Sequence, residues 1–439
     1  MARYETYLHY AAAILTEWEQ ARDEGRDVRR FLPEVQRLSK AAWTPEIERE
    51  AVALGEEMAK EPVPADYPFE EPSGLEAIRA ARPDGAKTFA PAAADEKRIL
   101  AAWQGRVAGC LLGKPVEGMR RETLYPLLKA GNNYPMTKYI RLGDYTQAQR
   151  EALQINPARC WADTLNGVAP VDDDTNYTVV GLKVLEDYGH DFQPVNVLEA
   201  WTRYLPMCAC CTAERVAYRN AALCLQPPET ATYRNPYREW IGAQIRADFF
   251  GYINPGNPER AAEYAWRDAS ISHVRNGIYG EMWVAAMLAA AAVTGDVDEI
   301  LDAGLSQVPK KSRLARDVAA VRGWYAEGVS VQEAMLRIHA QYDEHSGHGW
   351  CHTLSNAMIV TMALLWGGWD YGKTVCAAVE CGFDTDCNGA TAGSIVGMRN
   401  AEVPDEWTEP FKDGLCTSLD GYPQVKLEEM AKITAGFVR

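Results

Sequence analysis

Two segments of this chain carry glycine at every fourth position, and they restrict the fold more than any other feature. Gly105, Gly109 and Gly113 fall in QGRVAGCLLGKPVEGM, residues 104–119, and leave one side of a helix bare. Gly389, Gly393 and Gly397, helped by Ala390 and Ala392, do the same in CGFDTDCNGATAGSIVGM, residues 381–398. A glycine inside a helix costs about 1 kcal/mol relative to alanine, so a run of them at one spacing implies near backbone-to-backbone packing. MWVAAMLAAAAV (282–293) and MIVTMALLW (358–366) are apolar around nearly the whole helix, which marks buried helices. Strand signals are few. The expectation is an all-α protein, a compact multi-helix domain over residues 96–439.

Ahead of it, residues 1–60 read as a helical N-terminal extension of two helices. Tyr7, Ala11, Ile14, Leu15 and Trp18 recur at helical spacing, and the charged stretch Glu19 to Arg30 reads as solvated. Residues 61–95, rich in proline and alanine, read as a connector. The extension is a candidate cleft cover or homodimer contact.

At 439 residues and a formal charge of −16, the chain can bury a large core but is a poor partner for nucleic acid or an anionic membrane. Its start lacks a basic, apolar leader, and no run of roughly 18 uncharged apolar residues spans a membrane. The eleven cysteines are scattered rather than spaced as a framework, which suits a reducing cytoplasm. Cys208, Cys210 and Cys211 lack zinc-ligand spacing and read as core residues.

The chemistry is carried by acids at helix starts. In VDDDTNYTVVGLKVLEDYG (171–189), Asp172, Asp173 and Asp174 lead directly into a buried helix that stops at Gly189. One aspartate there caps the free N–H groups and meets the helix dipole. Three in a row exceed what capping uses, and their mutual repulsion asks for a cation. Asp384 and Asp386, one residue apart, open the second glycine-rich helix. If the two helix starts converge, five carboxylates offer hard oxygen ligands suited to magnesium, manganese or calcium. Glu117, just past Lys114-Pro115, is placed to act as a base or to orient a water. The segment Gly242 to Gly256 reads as a glycine-punctuated loop bordering the cleft.

Together these three motifs resemble the ADP-ribosylglycohydrolase family, whose members include enzymes that remove ADP-ribose from arginine or serine. The resemblance lies in Gly105…Gly113-Lys-Pro-Val-Glu117, in Asp172-Asp-Asp-Thr175 and in Gly382-Phe-Asp-Thr-Asp-Cys387, in that order. It implies a helical hydrolase that cleaves a ribosyl glycosidic bond of a small-molecule or protein-linked substrate, with two Mg²⁺ or Mn²⁺ ions. It places Asp172, Asp173, Asp174, Asp384 and Asp386 at ligand positions and Glu117 at the catalytic glutamate, with Asp174 beside it in the catalytic pair. His273, Asn276, His352 and Asn356 fall in family-like turns and are candidate substrate contacts. Three positions depart from the pattern. Asp172 stands for a Thr or Ser, Cys387 stands where a hydroxyl usually ligates, and Cys110 replaces a common aspartate. Cys387 is therefore a soft sixth ligand candidate. Two other readings compete: a non-catalytic ADP-ribose-binding or crystallin-like member, and a magnesium-dependent prenyl diphosphate cyclase. The second is disfavoured because the Asp384 cluster lacks the later glutamate such enzymes use.

Overall fold

The computed structural model of the chain describes residues 5–439, so the first four positions of the N-terminal extension lie outside it. The protein is 61% helical, with only three short strands among the described residues, in line with the all-α expectation. At its centre the helices Glu96–Gly113 and Thr385–Asn400 lie antiparallel with their glycines interlocked. Gly105 faces Gly393, Gly109 faces Gly389, Gly397 faces Ala101, and Gly113 meets the backbone of Thr385 and Asp386. A Cβ at any of these would land inside the van der Waals envelope of the opposite backbone. The pair is tied laterally by Thr385 Oγ1 donating to the Gly113 carbonyl at 2.9 Å and Tyr371 Oη donating to that of Gly105 at 2.8 Å.

This pairing fixes where the chemistry goes. The start of the Thr385–Asn400 helix meets the end of the Glu96–Gly113 helix, so Asp384, Asp386 and Cys387 arrive beside Cys110, Lys114 and Glu117. The apolar helices Arg275–Ala291 and Thr353–Gly367 pack on the Thr385–Asn400 helix and are buried almost throughout. Each large side chain buried there contributes about 1.5–3 kcal/mol. The Asp173–Tyr188 helix is set by a small sheet just before it. Val168–Ala169 pairs parallel with Gly414–Leu415, and Gly414–Cys416 pairs antiparallel with Gln424–Lys426. The helix ends where Gly189 takes a φ of 67°, a conformation that favours glycine.

Four expectations are revised. The N-terminal extension contains three α-helices, Ile14–Asp23, Leu32–Lys40 and Pro45–Lys60, rather than two, around a small core of Tyr10, Ile14, Val28, Val35, Leu38 and Met58. The stretch from Glu19 to Arg30 is not a solvated face, because Gln20, Glu24 and Val28 are buried. Gln20 donates to Glu239 at 2.7 Å, and Arg238 donates to Glu17 at 2.9 Å and to Glu24 at 2.8 Å, docking the extension on the main body. The 61–95 connector straps that body and includes the helix Leu75–Ala81, with Ile78 buried in the main core. Finally, the segment from Gly242 to Gly256 is a buried pair of short helical turns rather than a cleft-side loop, since Arg246 and Asp248 are each fully enclosed by partners.

Candidate metal centre

Asp172 caps the Asp173–Tyr188 helix, accepting from Asp174 N at 2.9 Å through Oδ1, while its Oδ2 pairs with Lys114 Nζ. Asp174 is wholly buried, and Arg106 holds it by donating to Oδ1 at 3.0 Å and to its carbonyl at 2.8 Å. The same guanidinium donates to Asp248 Oδ2 at 2.8 Å, so Arg106 links two enclosed carboxylates to the glycine-lined helix. Asp174 Oδ2 is left buried and without a hydrogen-bond partner.

The second helix start is aimed by its backbone. Gly382 and Phe383 both have positive φ, 83° and 58°, and Phe383 is a non-glycine residue held there by complete burial. Asp384 follows, its N–H donating to Asn356 Oδ1 at 3.3 Å and its Oδ2 accepting from Cys351 Sγ at 3.6 Å. Asn388 Nδ2 donates to the same Asn356 oxygen at 2.8 Å, so one amide braces both ends of the turn. Asp386 Oδ1 is also buried with no partner.

These groups converge. Ligand atoms of Asp174, Asp386 and Cys387 lie within 4.8 Å of one another, as do those of Cys110, Asp172 and Asp174. The electrostatics follow from crowding. Burial, then the neighbouring carboxylates, pushes Asp386 and Asp173 far above the usual carboxylate range, and Asp174 rises likewise in spite of Arg106. Burial also raises Asp384. Asp172 alone is held low, because Lys114 outweighs the cost of its burial. Glu117 stands at the solvent-reached edge of the cluster, yet the protein crowded around it, with Asp384 and Asp172, pushes its carboxyl up to about 7. Six carboxylates thus share three nearby cations, Lys114, Arg106 and Arg159, the last beside Glu117. Two orphaned oxygens beside a thiol fit the donor set of a divalent cation, which would repay their desolvation.

Of the other sequence candidates, only Asn356 touches the cluster. Asn356 sits behind Asp384 and is fully engaged by protein groups, donating to the carbonyls of Trp350 and His352. His352 caps the Thr353–Gly367 helix by accepting from Leu354 N at 3.1 Å, and its ring lies 4.9 Å from that of His348, on the side facing Asp23. Asn276 donates to Glu239 at 2.8 Å and accepts from Leu314 N at 3.1 Å. His273 is buried by the Arg246 and Glu214 cluster, where burial holds it well below its ordinary pKa. Of the cysteine triplet only Cys210 is a core residue. Cys208 is exposed, and Cys211 stands against Asp173, whose charge drives its thiol pKa up.

Lys114 and Arg106 were both inside quoted motifs yet assigned no role. The signal for Arg106 is that it is the one charge between Ile99 and Gly113, a mostly apolar and glycine-faced stretch, which demands a buried partner. Lys114 had no comparable signal, because its partner Asp172 is distant in sequence.

The family model of ADP-ribosylglycohydrolase matches residues 91–436. An uncharacterized protein of Archaeoglobus fulgidus is 23% identical over 313 residues, covering 70% of this chain and 90% of its own length. A solved structure described as an ADP-ribosylglycohydrolase-related protein complex covers 78% of this chain and 97% of its own, at 17% identity and a TM-score of 0.45.

Proposed function

The chain belongs to the ADP-ribosylglycohydrolase family, and from that premise we propose that it is a divalent-metal-dependent hydrolase of a ribosyl glycosidic bond. The observation that carries this reading is the pair of buried, unpartnered oxygens on Asp174 and Asp386, beside Cys387, at the meeting of two helix starts. The substrate class is an ADP-ribosylated side chain or a related riboside.

Asp174, Asp386 and Cys387 would hold the cation, with Asp172, Asp173 and Asp384 around it, and the family's pattern of two magnesium or manganese ions would use all five carboxylates. Bound there, divalent metal would bind the ribose hydroxyls and stabilise charge as the anomeric bond breaks. The chain's own groups supply the rest. Arg106 fixes one oxygen of Asp174, so that the other faces the cluster. Asn356 and the strained Gly382-Phe383 turn fix the direction of Asp384. Glu117, at the solvent edge and with a pKa lifted toward neutrality, takes a proton from the attacking water. Water oxygen then bonds to the anomeric carbon as the bond to the leaving atom breaks, the electron pair leaves with that atom, and the proton held by Glu117 returns to it, directly or through solvent.

The reading is tested by assaying release from N-linked, O-linked and nucleobase-linked ribosides with Glu117→Gln. The expected result is a rate lower by about 10²–10⁴, the usual worth of a positioned acid–base group, with metal binding retained. An unchanged rate removes Glu117 from the chemistry. A binding protein without turnover is the second reading, favoured by Cys387 at a hydroxyl-ligand position, and metal-loaded protein that turns over no riboside would support it.

A further inference from the structure

The two ligand triads share Asp174 but are not equivalent. In the triad of Cys110, Asp172 and Asp174, the oxygens of Asp172 are already committed, Oδ1 to Asp174 N at 2.9 Å and Oδ2 to Lys114 Nζ. The Lys114 side chain is four-fifths buried, so this ion pair is enclosed rather than a mobile surface contact. In the triad of Asp174, Asp386 and Cys387, Arg106 holds Asp174 Oδ1, but Asp174 Oδ2 and Asp386 Oδ1 are buried and unpartnered, and Cys387 is buried beside them. Both triads therefore share the Arg106 charge on Asp174, but only the first also carries Lys114, and the second keeps two oxygens without a partner.

The sulfur content is also unusual. Cys110 and Cys387 belong to the two triads, Cys351 donates to Asp384, and Cys211 stands against Asp173. Thiolate is a soft donor that magnesium binds poorly, whereas zinc and cobalt accept it readily alongside carboxylate. A donor set of two carboxylates and one thiolate leaves a coordination position free, which is the arrangement of catalytic rather than structural zinc-type sites.

We propose that this centre takes a single thiophilic divalent cation of the zinc or cobalt class on Asp174, Asp386 and Cys387, and that the Lys114 ammonium occupies the place of a second ion. The ammonium supplies a fixed positive charge at Asp172 without a second metal. The inference rests on the metal-dependent reading above, and its readouts need no turnover.

The test uses the full chain, stripped with chelator under reductant and titrated with Co²⁺. The expected result is one equivalent by elemental analysis, with a sulfur-to-cobalt charge-transfer absorption in the near ultraviolet. Cys387→Ser should lose that absorption and bind cobalt about 10–100-fold more weakly or worse, since even loss of an outer-shell partner costs that much. Lys114→Met should bind a second equivalent, and Lys114→Gln serves where the first variant does not fold. Two equivalents on the unaltered chain, or full occupancy without the sulfur band, would overturn the inference while leaving a metal-dependent hydrolase standing. Failure to bind Co²⁺, Zn²⁺, Mn²⁺ or Mg²⁺ at all would remove both.

Discussion

Asp386 offers the sharpest test at the scale of single residues, because replacing its carboxylate by an amide keeps the shape and removes the charge. Asp386→Asn should lower metal-dependent ribosyl hydrolysis by at least about 100-fold, more than loss of an outer-shell partner costs. It should not unfold the protein, since the native carboxylate has one orphaned oxygen and is penalised by burial. Steady-state rates with circular dichroism on the same sample separate the two outcomes. His352 makes a different prediction. Burial, together with His348, holds its folded pKa at about 3, against 6.5 for an unperturbed imidazole. Below pH 6.5 the unfolded chain therefore binds a proton that the folded chain refuses, and this one group lowers stability as pH falls toward 3. His352→Asn keeps a capping side chain and removes the titration. The stability of the native protein relative to that variant should fall by about 1.4 kcal/mol per pH unit below 6.5, measured by urea unfolding at pH 7, 6 and 5. A pH-independent difference would contradict the assignment. The aspartates were legible in the sequence because consecutive charges before an apolar helix have few other uses. Lys114 and Cys211 were not, because their partners Asp172 and Asp173 come from other segments of the chain. His273 and Asn276 match family-like turns, yet Asn276 is held by Glu239 and Leu314 and His273 is enclosed with its Nδ1 against Ser272 Oγ, which no local pattern reveals.

Among the elements, the antiparallel glycine helices bear the whole arrangement. Gly109→Ala would set a methyl against the Gly389 carbonyl, and backbone cannot rotate out of the way. The expected loss is at least about 3 kcal/mol, the upper part of the usual range for overpacking, read from denaturant midpoints. A shift under ~1 kcal/mol would mean the helices can part. The need for close approach was plain from glycine spacing, but which two helices approach each other was not, since spacing carries no partner identity. The Gly242 to Gly256 segment misled for the opposite reason. Its glycines and charges suggest a solvated loop, whereas Arg246 is buried and donates to Glu214 at 2.8 Å and also pairs with Asp268 and Glu281. Arg246→Met should cost about 3–5 kcal/mol, because it strands three enclosed acids.

Over the whole molecule, the net charge of −16 and the concentration of acids at one point mean that, on the proposed reading, a bound cation stabilises the folded state. Saturation at 100 times Kd should stabilise the fold by about 2.7 kcal/mol, visible as a rise in Tm that disappears with chelator and in Asp386→Asn. Among the described residues no helix is long and apolar enough to cross a membrane. The three-helix extension was only partly readable: its charged face looked solvated because Gln20, Glu24 and Asp23 find their partners, Glu239, Arg238 and His348, more than two hundred residues away. On the proposed reading, Asp174, Asp386 and Cys387 hold a divalent cation needed to cleave a ribosyl bond. It is tested most directly by following release from a panel of N-, O- and nucleobase-linked ribosides with native, chelator-stripped and metal-restored protein. Turnover of at least one riboside that is lost on stripping and regained with metal is the predicted result; turnover that survives stripping, or none from the metal-restored protein on any member of the panel, would contradict it.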